Sequence, residues 1–100
     1  MSSTTKAIVA KLVARQETAD EVATFLTGAL DLANAEAGTT VWFALRTNPT
    51  TFWIVDAFPG EAERQAHLGG EIAKALMANA ERLLAEPPEL GMADVLAAKL

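Results

Sequence analysis

A chain of 100 residues has room for one hydrophobic core, so we expect a single domain over residues 1–100. Its net charge of -5, from 8 basic and 13 acidic residues, argues against a phosphate-binding surface and against a nucleic-acid partner. The lack of cysteine excludes disulfides, thiolate metal ligands and thiol nucleophiles, and it suits a reducing cytoplasm, the predicted location.

Hydrophobic residues make up 51% of the chain, more than one small core is expected to need. A small domain buries only about 60% of the surface that its unfolded chain exposes. The surplus therefore predicts either an over-filled core or a surface shared with another chain.

Neither a secretory signal nor a membrane span is expected. The segment from Met1 to Lys6 is polar, and the apolar stretch behind it is interrupted by Lys11 and Arg15. No uncharged run approaches the ~20 residues that cross a bilayer. We therefore expect a soluble protein without a membrane partner.

The first part of the chain predicts a strand followed by a helix. Residues 6–15 are rich in β-branched side chains and predict strand one. Thr18 with Glu21 predicts a reciprocal capping box at the start of a helix. Apolar positions at helical spacing extend this helix over residues 19–37, with Gly38 as a left-handed C-cap.

The rest of the chain predicts a hairpin, an interrupted helix and a last strand. Residues 39–46 and 51–58 indicate strands two and three, joined by a short turn into an antiparallel hairpin. A helical region over residues 61–84 is interrupted at the Gly69-Gly70 pair and ends before two prolines. The tail over residues 92–100 is interpreted as an edge strand, although its composition also suits a helix.

The element order β-α-β-β-α-β predicts an α+β protein with the ferredoxin-like arrangement, in which helices cover one face of a four-stranded antiparallel sheet. Both side-chain parities of strands two and three are apolar, whereas a sheet with one solvated face alternates apolar with polar. We therefore expect a second copy of the chain to cover the face without helices, giving a homodimer packed sheet to sheet.

The residues able to carry chemistry are few. One histidine and no cysteine argue against a protein-held transition metal, and no glycine-rich phosphate loop is present. His67 is able to transfer protons near neutral pH, although a partly exposed helix histidine without a role is the alternative. Asp56 lies in the apolar strand FWIVDAF, so it either serves a site or forms an ion pair with Arg46 or Arg15.

Aromatic and polar side chains of the hairpin are further candidates. Trp42 and Trp53 suit stacking on a planar ligand, although strand aromatics more often belong to a core or interface. Arg46 and Asn48 are able to donate to a ligand oxygen, although turn chemistry also explains Asn48. The run EAER, residues 61–64, is interpreted as a solvated helix face.

The chain resembles the antibiotic biosynthesis monooxygenase family, small proteins of the dimeric α+β barrel superfamily. Four stretches carry the resemblance and cover nearly the whole chain: LVARQETADEVATFL, AGTTVWFALR, TFWIVDAFPGEAERQAHL and AEPPELGMADVLAAKL. The family tends to place an aromatic residue where Trp42 stands and an acidic residue followed by an aromatic where Asp56 and Phe58 stand. It tends to place a histidine where His67 stands.

The resemblance implies a homodimer and cofactor-independent oxygenation of small phenol, quinol or anthrone-like compounds by O2. An electron-rich phenol that loses its proton gives an anion able to reduce dioxygen, so the protein supplies a dry cavity and a base. No bound cofactor or metal is expected. The implied assignments are Asp56 or His67 as base, Arg46 beside the developing oxyanion, and substrate-binding walls formed by Trp42, Phe43, Trp53 and Phe58.

Two other possibilities remain open from the sequence. A heme-degrading branch of the superfamily uses an Asn, Trp and His set, from which this chain departs: His67 falls where that branch has its tryptophan, and Met77 near its axial histidine. The alternative from another functional class is a non-catalytic dimeric module that binds a small molecule or serves packing alone. Oxygen uptake distinguishes the enzyme from the module.

Overall fold

The structure, a computed structural model, describes residues 3–100; Met1 and Ser2, where the polar N-terminal segment begins, lie outside the described residues. The described elements follow the predicted order β-α-β-β-α-β, with each predicted helix divided in two. In chain order they are β1 (Lys6–Val13), α1 (Ala19–Gly28), α2 (Leu30–Ala35), β2 (Val41–Asn48), β3 (Thr51–Phe58), α3 (Glu61–Leu68), α4 (Glu71–Leu83) and β4 (Glu89–Asp94). Among these residues, no helix is both long and apolar enough to cross a bilayer.

The four strands form one antiparallel sheet in the order β2-β3-β1-β4, which confirms the predicted ferredoxin-like α+β fold. The edge-strand interpretation of the tail is also confirmed, although β4 begins earlier and ends earlier than expected. Asp94 pairs with Lys6, the first residue of β1, so the ladder ends where its partner strand begins.

The sheet has a helix-covered face and an open face. From Ile8 onward, side chains at even-numbered positions of β1 and β3 point to the helices and are almost fully buried; they are Ile8, Ala10, Leu12, Phe52, Ile54, Asp56 and Phe58. Opposite them, the helices contribute Val22, Leu26, Ile72 and Leu76. This layer between sheet and helices is the core, where each large aliphatic side chain stabilises the fold by roughly 1.5–3 kcal/mol.

The first predicted helix is two helices, and its predicted cap is wrong. α1 ends at Gly28, α2 begins at Leu30, and the chain becomes extended at Glu36, so Gly38 caps neither helix. No described glycine has a positive φ. Gly38 instead allows close packing, because a Cβ there would lie 2.9 Å from Cγ of Glu63.

Of the two other helix-boundary predictions, one is confirmed and one is wrong. The Gly69-Gly70 pair does divide α3 from α4. The capping box does not form, since the Thr18 side chain makes no hydrogen bond to the start of α1. Its hydroxyl donates instead to the carbonyl oxygen of Leu83 at 2.6 Å, an acceptor at the end of α4 that also receives the backbone N–H of Arg15 at 3.0 Å.

Arg64 corrects the interpretation of residues 61–64 as a solvated face. α3 lies over the end of the sheet, and the Arg64 side chain is buried beneath it. Its Nη1 donates to the carbonyl oxygens of Ala7 and Ala93, each at 3.1 Å, and its Nε donates to Glu61 at 2.8 Å. Arg64 therefore joins α3 to β1 and β4.

Arg64→Ala is expected to destabilise the fold, because it removes the donor from two strand carbonyls that lie under a helix. Urea denaturation measures the change in the free energy of unfolding. Arg82→Ala is the matched control, since Arg82 pairs with Glu21 at 2.7 Å where both side chains are more than half exposed. Equal losses in the two variants would contradict this role for Arg64.

Candidate active site

His67 lies in α3 with its ring held between two carboxylates. Its Nε2 lies 2.9 Å from Oδ2 of Asp56, and its Nδ1 lies 2.6 Å from Oε1 of Glu36. The ring packs against Phe58, with the two ring centroids 5.2 Å apart. Only 8% of His67 is exposed, so the exposure assumed in the alternative interpretation of this histidine is wrong.

The two carboxylates decide the charge of the ring. Burial by itself lowers the pKa of His67, but the hydrogen bonds and charges of Asp56 and Glu36 outweigh it and raise the pKa from 6.5 to about 9. The ring is therefore an imidazolium at neutral pH, and each ring nitrogen donates to one carboxylate. His67 has no lone pair with which to accept a proton.

Asp56 reaches the ring from β3, on the helix-covered face of the sheet. It is 1% exposed, and its Oδ2 accepts the hydrogen bond from His67. Within residues 3–100, its other oxygen, Oδ1, is buried and has no hydrogen-bond partner. A buried oxygen of this kind is costly unless something donates to it, so Oδ1 is an acceptor with unused hydrogen-bonding capacity.

The alternative interpretation of Asp56, an ion pair with Arg46 or Arg15, is wrong. Arg46 lies at the far end of the hairpin, where its Nη2 is 3.3 Å from Oδ1 of Asp20. Arg15 donates to the carbonyl oxygen of Glu81 at 2.9 Å. The partner of Asp56 is His67, because α3 packs on β3 while both arginines lie near the opposite end of the sheet.

Glu36 is the site residue that sequence reasoning missed. It follows α2, and its Oε1 accepts hydrogen bonds from His67 and from the Thr39 hydroxyl, each at 2.6 Å. Its side chain is 20% exposed. No motif links Glu36 to a histidine 31 residues away, and its only sequence signal is a carboxylate at the end of a helix. Tertiary packing alone joins them.

His67 lines two cavities, one on each side of its ring. The inner cavity, about 140 Å³, lies between sheet and α4 and is lined by Asp56, His67 and mostly aliphatic side chains, including Ile8, Ile54, Ile72 and Leu76. The outer cavity, about 340 Å³, is lined by Glu36, His67, Glu63, Glu71 and the loop at residues 37–39. Asp56, His67 and Glu36 thus form one hydrogen-bonded row from the inner to the outer cavity.

Two of the predicted aromatic wall residues lie beside this row. Phe58 packs on the ring of His67, as described above. Trp42 is the cross-strand partner of Asp56, and its Nε1 is a second buried polar atom without a partner in the described part of the chain. Trp42 also packs between the core side chains of the sheet and those of α2 and α4.

None of the five predicted substrate-binding residues lines the inner cavity itself, and three of them lie away from the row as well. Phe43 and Trp53 occupy odd-numbered strand positions and face the open side of the sheet. Arg46 stacks over the ring of Phe52 near the hairpin turn. Asn48 accepts hydrogen bonds from the backbone N–H groups of Thr50 and Thr51, as its turn interpretation predicts.

The arrangement of the three ionisable side chains suits proton chemistry. Over residues 3–100, no group of His, Asp and Glu side chains converges in the manner of a metal site. Asp56 and Glu36 instead each contact one of the two ring nitrogens of His67. The row holds a positive ring next to a carboxylate whose free oxygen has no partner, an arrangement able to bind a hydroxyl group and accept its proton.

Comparisons with solved structures show which proteins share this fold. The chain has the fold of a protein from Nitrosomonas europaea provisionally named an antibiotic biosynthesis monooxygenase, with TM-score 0.82, 14% identity, and 92% of this chain and 90% of that one covered. A protein from Caulobacter crescentus with the same provisional name gives TM-score 0.81 and 20% identity, covering 94% and 92%. The resemblance to antibiotic biosynthesis monooxygenases is thus shown for the fold.

A much more similar structure defines the family. NE2512, a protein of unknown function from Nitrosomonas europaea, is 54% identical, with TM-score 0.95 over 97% of this chain and 94% of that one. The chain belongs to the same protein family as NE2512. No protein-family model and no curated protein matches the chain.

Proposed function

We propose that this protein is a cofactor-independent monooxygenase that oxidises a small aromatic phenol or quinol with O2. The observation that carries the proposal is the buried Oδ1 of Asp56, which has no partner and belongs to a residue lining an apolar cavity. A phenolic hydroxyl is a donor that satisfies this oxygen. The names of structures that share the fold support the choice of reaction.

Asp56, and not His67, is the base in this mechanism. The imidazolium of His67 cannot accept a proton at neutral pH because its pKa is raised to about 9. Oδ1 of Asp56 accepts the proton of the substrate hydroxyl, while Nε2–H of His67 holds Oδ2 in place. The positive ring stabilises the phenolate that forms beside it.

The substrate itself supplies the electrons for the oxygenation. The phenolate ring reduces O2, one oxygen atom forms a new carbon–oxygen bond in place of a ring hydrogen, and the other leaves as water. A phenol thereby becomes a quinone and a quinol becomes a hydroxyquinone, and two substrate hydrogens end in the water. The aliphatic lining of the inner cavity excludes bulk water, which strengthens the interaction between the anion and His67.

Oxygen uptake tests the reaction directly. With a chelator present, the protein is expected to consume equal amounts of O2 and of a phenol or quinol. Isotopically labelled O2 is expected to place one labelled atom in the product, as read by mass spectrometry. If no phenol or quinol in a broad panel accelerates uptake above the rate without protein, the proposed function is wrong.

A non-catalytic binding module is the second candidate function. The row of Asp56, His67 and Glu36 also ties β3, α3 and the end of α2 together, which suits a structural role. A ligand that binds only the folded state raises thermal stability without any chemistry. Stabilisation by phenols without oxygen uptake would therefore favour the module over the enzyme.

We also propose a homodimer through the open face of the sheet. Odd-numbered positions of β1, β2 and β3 give this face a largely apolar surface, including Val9, Val41, Phe43, Leu45 and Val55. Phe43 is 56% exposed and Leu45 46% exposed. A contiguous apolar face of this kind favours a second apolar surface over water, and a second copy of the chain supplies one.

Phe43→Lys is expected to convert the dimer into a monomer, because two lysines would then have to be buried in the interface. Light scattering at several protein concentrations measures the molecular mass. Leu30→Lys is the control, since Leu30 is 47% exposed but lies on α2, away from the open face. A monomeric natural protein at all concentrations would contradict the proposed dimer.

A further inference from the structure

We propose that the inner cavity binds a phenol or quinol with a single aromatic ring, whose hydroxyl donates to Oδ1 of Asp56. The inference rests on the proposed function for the reaction that follows binding, and it names the substrate class. The inner cavity measures about 140 Å³. An apolar cavity of about 150 Å³ is known to accommodate benzene, so the volume suits one ring and is small for the three fused rings of an anthrone.

The lining of the inner cavity defines the chemistry of its ligand. Its polar side chains, Asp56 and His67, lie together, while most of the remaining lining is aliphatic. A ligand that fills it therefore directs one hydroxyl at the Asp56–His67 pair and is apolar where it meets the aliphatic lining. Aromatic rings with a single hydroxyl directed at Asp56 meet this requirement.

The polar group of the ligand has to be a donor. Both ring N–H groups of His67 already donate to carboxylates. The atom of the Asp56–His67 pair that still lacks a hydrogen-bond partner is therefore the acceptor Oδ1 of Asp56. An ether or ketone oxygen offers Oδ1 no proton, and a ligand carboxylate would meet a like charge. A neutral phenol satisfies the site, whereas a methylated phenol does not.

The inner cavity also has a route to the surface. Met77 and Leu90 line it and are 65% and 49% exposed, so it opens between α4 and the edge strand β4. Methionine side chains adapt their shape readily, which suits a position at the mouth of a cavity. A ligand is thus able to reach Asp56 without unfolding the core.

The outer cavity is larger but lacks these properties. Its lining carries three glutamates, Glu36, Glu63 and Glu71, and its contact with the row is through His67 and Glu36. The unpaired oxygen of Asp56 belongs to the inner cavity lining. The inner cavity is therefore the place where a hydroxyl meets an unsatisfied acceptor.

Ligand binding measured by calorimetry without oxygen tests the proposal. In the series 4-methylphenol, its methyl ether, naphthol and anthrone, the ether removes the hydroxyl donor, naphthol adds one ring, and anthrone, a ketone with three fused rings, changes both. We expect 4-methylphenol to bind at least about tenfold more tightly than its methyl ether, because the ether loses a hydrogen bond to a charged acceptor. Anthrone is expected to bind more weakly than 4-methylphenol or not at all.

Ala73→Leu provides a test that does not touch the ionisable row. Ala73 lines the inner cavity from α4, so a leucine there fills the space and is expected to abolish binding of 4-methylphenol. Ala78→Leu is the control, because Ala78 is exposed on the same helix and does not line the inner cavity. Circular dichroism checks that both variants remain folded.

The outcomes separate this inference from the proposed function. Binding of 4-methylphenol that Ala73→Leu abolishes, without oxygen uptake in air by any one-ring phenol or quinol, would support the inference and overturn the oxygenase. Tight binding or turnover of anthrone without binding of one-ring phenols would overturn the inference and leave the oxygenase standing. Unchanged binding in Ala73→Leu, or no binding of any one-ring phenol, would also overturn the inference.

Discussion

Asp56→Asn is expected to lower kcat/KM for oxygen uptake by about 10²–10⁴-fold, the range over which a positioned general base acts. The amide still accepts a hydrogen bond from His67, but it cannot take the proton of a substrate hydroxyl. Steady-state oxygen-electrode measurements with a one-ring quinol give the change. Asp31→Asn is the control, since Asp31 is an exposed carboxylate on α2 and its loss is expected to leave kcat/KM unchanged.

A loss of activity counts for this role only if the variant still folds and binds. Ring resonances of His67 in an NMR titration report folding and the loss of the Asp56 charge, one of the two that raise the pKa of the ring, and calorimetry with 4-methylphenol reports binding. The expected result is a folded protein whose His67 pKa lies below that of the unmodified protein. Undiminished oxygen uptake in Asp56→Asn would show that another group is the base.

The free energy of unfolding is expected to fall by up to about 3 kcal/mol as the pH rises from 6.5 to about 9. The pKa of His67 is 6.5 in the unfolded chain and about 9 in the folded protein. Below pH 6.5 both states hold the proton, so the stabilisation by the two carboxylates is fully present. Above that pH the unfolded chain loses the proton first, and the contribution disappears as the folded protein titrates near pH 9.

Glu36→Gln tests the origin of this pH dependence. One of the two carboxylates that raise the pKa of His67 is then gone, so the pKa is expected to lie lower and the loss of stability to be smaller and to occur at lower pH. Urea denaturation across this pH range gives the profile. Glu71→Gln is the control: Glu71 also lines the outer cavity but does not bond to His67, and it is expected to keep the original profile. An unchanged profile in Glu36→Gln would contradict the assignment.

Predictions that depended on neighbouring residues were mostly confirmed by the structure. Apolar periodicity and turn residues located the strands and the hairpin, and the Gly69-Gly70 pair marked the break between α3 and α4. Asn48 forms the turn contacts that its residue type predicts. The single first helix and the solvated face at residues 61–64 were exceptions. So were the Thr18 capping box and the Gly38 cap, because Thr18 donates to an acceptor on α4 and Gly38 packs against Glu63.

The candidate site was only partly predictable. Asp56 and His67 were identified because a carboxylate in an apolar strand and the single histidine of the chain are unusual in themselves. The pairing of Asp56 with His67 depends on which face of the sheet the helices cover. The position of Phe43 and Trp53, predicted as cavity walls but found on the open face, depends on the same choice. With both parities of β2 and β3 apolar, the pattern of the strands alone does not decide that face.

Short-range periodicity and turn chemistry are properties of adjacent residues, so the elements, their order and the α+β fold were predictable from the chain alone. The same reasoning singled out the two residues that meet at the candidate site. The raised pKa of His67 was not predictable in this way, since it depends on packing against Asp56 and against Glu36, a residue 31 positions away that no motif marks. The inner cavity and the free oxygen of Asp56 likewise exist only once α3 and α4 pack on the sheet, because burial and pairing belong to the assembled core.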